Sequence, residues 1–288
     1  MKKPKPKHSK PKNKVRQGRV LVVTSGKGGV GKTTSTAALG AALAQSGQKV
    51  VVVDFDVGLR NLDLVMGAER RVVFDLINVI KGDANLAQAL IRDKRLDTLA
   101  LIPASQSCDK DSLTEEGVAR VIRELRTRFD WVLCDSPAGI ETGAILAMRY
   151  ADVAVVVANP EVSSVRDADR IIGLLDSKTM KAEKGERIDK HLLLTRYDSS
   201  RARRGESMTV EAVLEILSLP LLGVVPESAE VLRSSNVGAP VILGSPGSAP
   251  AQAYVDAARR LNGDVSGDAV AVSAKPGLFG KLFTRRAA

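Results

Sequence analysis

The sequence predicts an α/β fold, a single domain with a mostly parallel sheet and helices on both of its faces. Short apolar segments without polar alternation recur along the chain, as in strands that are buried on both sides. Longer segments of helical character separate them, so successive strands are expected to run parallel through crossover helices. The first strand leads into a glycine-rich turn and then into a helix of small residues.

The predicted elements alternate from the first strand to the last helix. Strands are expected at 20–25, 49–54, 98–102, 130–135, 152–157, 191–195 and 221–225. Helices are expected at 32–46, 72–80, 112–128, 141–149, 162–178, 209–217 and 247–262. The domain therefore spans 19–262, and the Gly-, Ser- and Ala-rich stretch at 263–276 is predicted to be a flexible linker before a final segment at 277–288.

The turn after the first strand fits the phosphate-binding pattern G-x-x-x-x-G-K-[ST]. Its fixed positions are Gly26, Gly31, Lys32 and Thr33. Glycines let backbone N–H groups close around phosphate oxygens, and the following helix N-terminus adds a favourable dipole. In this pattern the lysine pairs with the β/γ-phosphates and the hydroxyl binds Mg²⁺. The predicted nucleotide-binding loop is Gly26, Lys27, Gly28, Gly29, Val30, Gly31, Lys32, Thr33 and Thr34.

The same turn also contains G-x-G-x-x-G, and Asp54 ends the next strand, as in a dinucleotide site. A dinucleotide site has no use for Lys32 and Thr33, whereas a triphosphate site needs both. It also needs an acid near the metal, and Asp135 ends the apolar strand at 130–135 as that acid should. These features predict a P-loop NTPase type of fold that binds a nucleoside triphosphate together with Mg²⁺.

Charge is concentrated at the two ends of the chain. The net charge is +10, of which residues 1–19 supply nine positive charges and residues 275–288 supply four, leaving the body at −3. We therefore expect no specific nucleic-acid face on the body. Residues 1–18 combine Lys and Pro with almost no apolar side chains and are predicted to be a disordered basic tail. A solubilising role, or attraction to anionic lipid or nucleic acid, remains open for it.

Neither cysteine belongs to a paired motif, so a reducing compartment is expected. The apolar run after the basic start is too short for a secretory signal, which predicts a cytoplasmic protein.

The end of the chain carries a short amphipathic pattern. If it is helical, one face holds Leu278, Phe279, Leu282 and Phe283, with Lys281 at the border. Such a segment suits the interface of a membrane, and a helix docked on the protein's own body is the alternative.

Beyond these patterns, the sequence resembles the ParA/MinD family of deviant Walker A ATPases. The loop 27–34 reads KGGVGKTT, with the second lysine early in the loop that marks this family. The resemblance is closest to the branch that determines the septum site in bacterial division. It is carried by the segments 54–67, 134–143, 159–167 and 191–197, and the chain departs from the family at residues 1–18.

The resemblance implies an ATPase that forms a homodimer around ATP and attaches to the cytoplasmic face of the inner membrane through its C-terminal helix. It implies recruitment of a MinC-like division inhibitor and stimulation of hydrolysis by a MinE-like or other topological activator. It further implies roles for single residues. Lys27 reaches the partner's nucleotide, Asp56 positions the attacking water, Asn61 lies at the dimer interface, and Asp135 lies near the metal. Arg196 and Pro226 edge the adenine pocket.

Two of these roles have plain structural alternatives. Asp54 and Asp56 share a strand end, and one of them could simply cap it; the resemblance gives Asp56 the catalytic part. The loop and helix start at 159–167 could be an N-cap and a solvated face, which the resemblance makes a partner-binding surface. A flagellar-placement regulator of the same group is the alternative function. A ParA-type DNA-partitioning ATPase fits less well, because the body is acidic and the chain ends in an amphipathic segment.

Overall fold

The computed structural model describes residues 17–108 and 110–264. The predicted tail up to residue 16, the linker from residue 265 and the predicted membrane segment at 277–288 lie outside the described residues. Gly18, which the sequence assigned to the tail, donates its backbone N–H to the Arg126 carbonyl at 2.8 Å. Gly18 is therefore packed against the domain.

Eight strands form one sheet. They are β1 (Arg19–Thr24), β2 (Val50–Asp54), β3 (Ile91–Arg92), β4 (Leu99–Ile102), β5 (Trp131–Asp135), β6 (Val153–Ala158), β7 (Asp189–Tyr197) and β8 (Leu221–Pro226). Their order across the sheet is β3-β4-β2-β5-β1-β6-β7-β8. Every neighbouring pair is parallel except β3 with β4. The α/β fold class with a mostly parallel sheet is thus confirmed.

Helices connect the strands. They are α1 (Lys32–Gln45), α2 (Leu62–Val65), α3 (Leu76–Lys81), α4 (Leu86–Ala89), α5 (Glu115–Arg128), α6 (Thr142–Arg149), α7 (Val162–Lys178), α8 (Met180–Glu183), α9 (Ser199–Arg203), α10 (Val210–Leu217), α11 (Ala229–Asn236), α12 (Val241–Gly244) and α13 (Ala249–Asn262). None of the helices in the described part of the chain is long and apolar enough to cross a membrane.

The strands are apolar on both sides because helices cover both faces of the sheet. Along β1, Val20 and Val22 pack into one core with α5, α6, α7 and α10. Leu21 and Val23 face the other core, which contains α1 and α13. All four side chains are fully buried. Successive side chains of a strand point to opposite faces, so both parities must be apolar here and no alternation is visible in the sequence.

Helix α1 is rich in small residues because it is enclosed between the sheet and α13. Residues 35–44 are all buried. A Cβ added at Gly40 would lie 2.7 Å from Cγ1 of Val52 in the sheet below, so only glycine permits this close approach. The packing fixes the start of α1 above the carboxyl end of β1, where its N-terminus meets the glycine-rich turn.

One predicted helix was wrong in its extent. The sequence predicted a helix at 72–80, but the structure has a 3₁₀ turn at Glu69–Arg71 and begins α3 only at Leu76. Asp75 and Asn78 cap this start reciprocally: each side chain accepts a hydrogen bond from the other's backbone N–H, both at 3.0 Å. Such a capping box fixes the first residue of a helix. The β-branched residues before Asp75 therefore do not extend α3 towards the N-terminus.

Candidate nucleotide site

The glycine-rich turn joins β1 to α1 at the carboxyl edge of the sheet. In the sheet, β1 lies between β5 and β6. At this position the connections from neighbouring strands run to opposite faces of the sheet, and open α/β sheets bind ligands at such a point. Gly29 and Gly31 have φ angles of 75° and 97°, which L side chains rarely adopt. The turn therefore takes its curled course because these two positions are glycines.

The loop is packed against α7 as well as against its own helix. A Cβ on Gly26 would lie 2.4 Å from the Asp167 carbonyl oxygen, whereas a Cβ on Gly28 would have no neighbour closer than 3.9 Å. The two glycines thus serve different purposes. Gly26 allows the close approach of α7, and Gly28 lies open at the surface of the loop.

Lys32 is the one loop cation that is buried within the site. Its ammonium donates to the Ser25 hydroxyl at 3.0 Å and to the Lys27 carbonyl at 3.4 Å. Burial lowers the pKa of Lys32, and the nearby carboxylates of Asp135 and Asp56 oppose that shift. The ammonium is therefore already desolvated and held at the mouth of the phosphate-binding turn.

Asp135 ends β5 beside the start of α1. Its Oδ1 accepts a hydrogen bond from the Thr36 hydroxyl at 3.0 Å, and the Thr33 hydroxyl also donates to this carboxylate. Burial raises the pKa of Asp135 to about 6, against the lowering effect of these hydrogen bonds and of Lys32. A buried carboxylate beside a threonine hydroxyl is a hard oxygen pair of the kind that Mg²⁺ prefers.

These residues fit a magnesium ion that is bound together with phosphate. Within 17–108 and 110–264, no three His, Cys, Asp or Glu side chains are grouped so as to bind a metal by themselves. Mg²⁺ in nucleotide sites usually has only one or two protein ligands and takes the remaining oxygens from phosphates and water. Thr33 and Asp135, the latter directly or through water, are the pair that would hold it here.

The two aspartates at the end of β2, Asp54 and Asp56, have different environments. Asp54 is fully buried and accepts hydrogen bonds from the backbone N–H groups of Asp56 at 2.8 Å and Leu62 at 3.2 Å. It therefore holds the 55–61 loop and the start of α2, and burial raises its pKa well above the usual value. Asp56 is only half-buried and close enough to Lys32 to influence its pKa. Asp54 therefore takes the structural part at this strand end, and the catalytic role of Asp56 stays a prediction.

Arg196 and Pro226 lie together in one cavity beside the loop. This cavity of about 320 Å³ is also lined by Gly29, Gly31 and Thr34. Arg196 has a φ of 54°, and its guanidinium donates to the Gly29 carbonyl at 3.3 Å and pairs with Glu227 at 3.0 Å. The ends of β7 and β8 are thereby tied to the phosphate-binding turn.

The sequence missed the rest of this cavity wall. It comes mainly from α2, α11 and α13, which supply Val65, Val231, Leu232, Ser235 and Tyr254. No motif marks these residues, and α2 and α11 were not predicted at all.

A larger cleft of about 430 Å³ lies between α5 and α8. It contains none of the predicted site residues and is lined largely by ion-paired side chains such as Arg126, Arg149 and Asp152.

Lys27 and Asn61 lie at the surface of the same edge. The Lys27 ammonium turns towards α7, 2.7 Å from Oε2 of Glu161 and 3.1 Å from the Ser163 hydroxyl. Asn61 is exposed just before α2. Three apolar side chains that the sequence did not single out are also exposed on the segments around this edge: Leu59, Ile140 and Val162.

The fold and this site define a P-loop nucleotide-binding protein. The chain matches the family model of the CobQ/CobB/MinD/ParA nucleotide binding domain over residues 21–241. It is 57% identical to the septum site-determining protein MinD of Escherichia coli K12 over 267 residues, covering 92% of this chain and 98% of that protein. The chain therefore belongs to the MinD family of septum site-determining ATPases, and the expected family is confirmed.

Solved structures agree with this assignment. The MinC:MinD cell division protein complex of Aquifex aeolicus matches with a TM-score of 0.77 and 41% identity, covering 87% of this chain and 98% of that one. The MinD of Pyrococcus horikoshii complexed with Mg-ADP matches with a TM-score of 0.75 and 31% identity, covering 85% and 96%. Of these two relatives, one is thus a complex of MinD with MinC and the other a complex of MinD with Mg-ADP.

Proposed function

We propose that this protein is an ATP-driven switch that controls where the division septum forms. ATP with Mg²⁺ brings two copies together, the dimer attaches to the cytoplasmic face of the inner membrane through residues 277–288, and a MinC-like inhibitor is recruited there. Hydrolysis, stimulated by a MinE-like or other topological activator, returns the chain to the monomer. The observation that carries the proposal is the convergence of Lys32, Thr33, Asp56 and Asp135 at one end of β1, β2 and β5.

The residues of the site divide the chemistry of phosphoryl transfer between them. Lys32 and the turn amides bind the β- and γ-phosphates, and magnesium supplies further neutralisation of the phosphate charge. Asp56 orients the attacking water, because Asp54 is fully engaged by backbone N–H groups. Lys27 is proposed to reach the partner's nucleotide, with Asn61 at the same interface. Phosphoryl transfer depends chiefly on positioning and charge neutralisation, so one cation supplied by a second copy can govern its rate.

Membrane attachment through two weak segments at once explains why dimerisation acts as the switch. A single short amphipathic segment with Leu278, Phe279, Lys281, Leu282 and Phe283 binds a membrane only marginally. In a dimer the second segment engages at high effective concentration, which raises the overall affinity without any new contact.

A septum-placing role is favoured over a flagellar-placement role, because the matched relatives with high identity are named for septum placement.

Sedimentation with phospholipid vesicles tests the proposal. The full chain should pellet with anionic vesicles in Mg·ATP and stay in the supernatant in Mg·ADP. Size-exclusion chromatography with light scattering should show a dimer only with ATP, most clearly for Asp56→Ala, in which hydrolysis is blocked. Equal pelleting in the two nucleotides, or a monomer at saturating Mg·ATP, would contradict the proposal.

A further inference from the structure

The cleft between α5 and α8 lies apart from the nucleotide site and is the larger of the two cavities. Its volume is about 430 Å³, compared with about 320 Å³ for the cavity beside the glycine-rich turn. Helix α5 lines it from Glu115 to Arg126, a length of about 16 Å. Residues 149–152, which join α6 to β6, and residues within 180–186 supply the rest of the lining. We call this cleft the α5–α8 groove.

The groove is separated from the nucleotide site by the length of the sheet. Asp152, which lines the groove, accepts a hydrogen bond from the backbone N–H of Val20 at 2.9 Å. Val20 is the second residue of β1, so about 17 Å of strand separate it from the glycine-rich turn. A molecule bound beside Asp152 therefore does not compete with nucleotide.

Ion pairs tie the two walls of the groove together at one end. The carboxylate of Asp152 pairs with Arg126 near the end of α5, and it also pairs with Lys181 of α8 at 3.4 Å. Asp152 is less than a fifth exposed, so these contacts are partly shielded from solvent. One carboxylate thus holds both helices.

A second tie lies at the other end of the groove. Arg149, the last residue of α6, pairs with Glu115 at the start of α5 at 2.9 Å and with Glu183 at the end of α8. The guanidinium is only 16% exposed. Because the walls are tied at both ends, the groove already has its shape before any molecule binds, which lowers the ordering cost of binding.

The floor of the groove between these ties is apolar. Ile122 and Ala151 are buried, and Ala119 and Met180 are half-buried. The two alanines are too short to fill the space between α5 and α8. A preformed cavity of roughly 300–1,000 Å³ with an apolar floor and a few polar groups is typical of sites for small molecules.

The size of the groove favours a small molecule over a helix of a partner protein. A helix with its side chains is about 10 Å across, so a length of about 16 Å occupies roughly 1,300 Å³. That volume is about three times the volume of the groove. A partner helix would therefore lie mostly outside it.

The charges at the rim are unevenly balanced. Arg123 on α5 and Lys184 directly after α8 are exposed, and neither forms an ion pair with another described residue. Burial raises the pKa of Tyr150, and the charges of Arg149 and Arg123 oppose that shift, so the Arg123 guanidinium lies near the Tyr150 side chain in the groove. Among the described acids that line the groove, only Glu186 is left without an ion pair. Two positive charges thus face one negative charge.

We propose that the α5–α8 groove is a binding site for a small anionic molecule with an apolar body, such as an aromatic carboxylate or sulfonate. The body lies on the apolar floor, and the anionic group pairs with Arg123 and Lys184. A ligand there occupies neither the nucleotide site nor residues 277–288. The site is therefore independent of the proposed switch.

Methyl NMR of the full chain, saturated with Mg·ADP, tests the site, because Ile122 and Met180 both line the groove. The probe is 8-anilinonaphthalene-1-sulfonate, and its matched control is N-phenyl-1-naphthylamine, which has the same ring system without the sulfonate. The sulfonate should shift the methyl signals of Ile122 and Met180 in a saturable manner. The uncharged control should bind there at least about threefold more weakly, since each exposed ion pair strengthens binding by about two- to fivefold.

Charge variants test the role of the two free cations. Arg123→Glu combined with Lys184→Glu should weaken binding of the sulfonate at least about tenfold, because two attractive contacts become repulsive. Binding of the uncharged control should change by less than about twofold, within the range of a weak exposed contact. Arg123→Lys combined with Lys184→Arg keeps both charges and should match the wild type. Arg70→Glu combined with Lys94→Glu changes two exposed cations that do not line the groove and should also match it.

A variant that fills the groove provides a test that does not depend on charge. Ala119→Leu adds apolar volume on the floor and should remove the shifts of Ile122 and Met180 with both probes. Unchanged affinity for Mg·ADP verifies that each variant is folded.

The outcomes are distinct. If neither probe shifts the Ile122 and Met180 methyl signals, the groove is not a binding site. If both probes bind there equally and the charge reversal has no effect, the groove takes uncharged apolar molecules and the proposed anionic class is wrong. Neither result bears on the ATP-dependent dimer, which is measured separately by light scattering.

Discussion

Lys27 forms an ion pair with Glu161 of its own chain, with 2.7 Å between Nζ and Oε2. Hydrogen bonding from this lysine is the main cause that lowers the pKa of Glu161. More than a third of the Lys27 side chain and more than half of the Glu161 side chain are exposed, so the pair is screened by solvent and contributes little to stability. A contact of this kind can be exchanged for a stronger one, such as a phosphate, in the dimer that we propose.

Lys27→Ala should separate ATP binding from dimerisation. The Lys27 ammonium is directed at α7 and not at Lys32 or the cavity that Arg196 lines, so nucleotide affinity should change by no more than about threefold, the scale of a weak exposed contact. The ATP-dependent dimer should be lost and hydrolysis should fall at least about tenfold, as for a charge that acts in the transition state. Fluorescent-nucleotide titration and light scattering measure the two effects.

Lys32→Ala is the matched control for that experiment. Lys32 is buried in the site, and its loss should remove ATP binding itself. If Lys27→Ala loses ATP binding as fully as Lys32→Ala does, Lys27 belongs to the nucleotide site of its own chain, and the role across the dimer is wrong.

Gly26→Ala should destabilise the domain, whereas Gly28→Ala should not. The new methyl group at position 26 would meet backbone and side-chain atoms of Asp167 at 2.4–2.7 Å, and neither α7 nor the loop can move without repacking. We expect a loss of about 1–3 kcal/mol in the free energy of unfolding. At position 28 the nearest atom is 3.9 Å away, so the change should stay within about 0.5 kcal/mol. Urea denaturation of the two variants measures the difference, and equal losses would contradict this explanation.

The sequence could predict which residues the glycine-rich turn brings together, because that part of the candidate site is built by one continuous segment. The positions of Gly26, Gly31, Lys32 and Thr33 follow from a motif whose spacing is set by the turn itself. The strand that ends in Asp135 was also visible, since four buried apolar residues followed by a terminal acid leave a clear pattern. Local sequence was sufficient to place a residue wherever local geometry determines its position.

The remainder depends on contacts between distant parts of the chain. Tyr254 and Leu232 line the cavity only because α13 and α11 pack against α1 and α2, which no local pattern reveals. The short helices α2 and α11 were missed because the tertiary packing, and not helix propensity, makes such short segments helical. The antiparallel strand β3 has two residues, too few to show any periodicity. The contact between Lys27 and Glu161 joins residues 134 positions apart.

Asp135→Asn should change how stability depends on pH in the absence of nucleotide. Burial raises the pKa of Asp135 to about 6 in the folded protein, compared with 3.8 for a free carboxyl group. Between these values the folded state binds more protons than the unfolded state, so the contribution of Asp135 to the free energy of unfolding falls as pH rises from about 4 to about 6. Above pH 6 the buried charge remains as a cost on the order of 1–3 kcal/mol.

The asparagine variant removes that charge while its amide oxygen can still accept the Thr36 hydrogen bond. Relative to the wild type, it should therefore gain stability from pH 4 to pH 7, as measured by urea denaturation of the nucleotide-free protein. Mg·ADP should stabilise the wild type and not the variant, because Asp135 is proposed to be at the metal. A variant whose stability relative to the wild type is the same at pH 4.5 and pH 7 would show that Asp135 is not perturbed by burial.

The last prediction concerns Tyr254, whose hydroxyl lies 3.0 Å from that of Ser35 in the core between α1 and α13. Burial raises the pKa of Tyr254 to about 12, so both groups are neutral and share a single hydrogen bond. Tyr254→Phe leaves the Ser35 hydroxyl buried without this partner and should cost about 1–2 kcal/mol in the free energy of unfolding.

Ser35→Ala should cost a similar amount, but the double variant should cost less than the two single losses combined, since no unpaired hydroxyl then remains. We expect a coupling of about 0.5–1.5 kcal/mol from such a double-mutant cycle by urea denaturation. Tyr254 also lines the cavity beside the nucleotide loop. If its hydrogen bond to Ser35 is purely structural, the same variants should weaken ATP binding only slightly. Strictly additive losses would mean that the two hydroxyls do not depend on each other and that apolar packing alone joins α1 to α13.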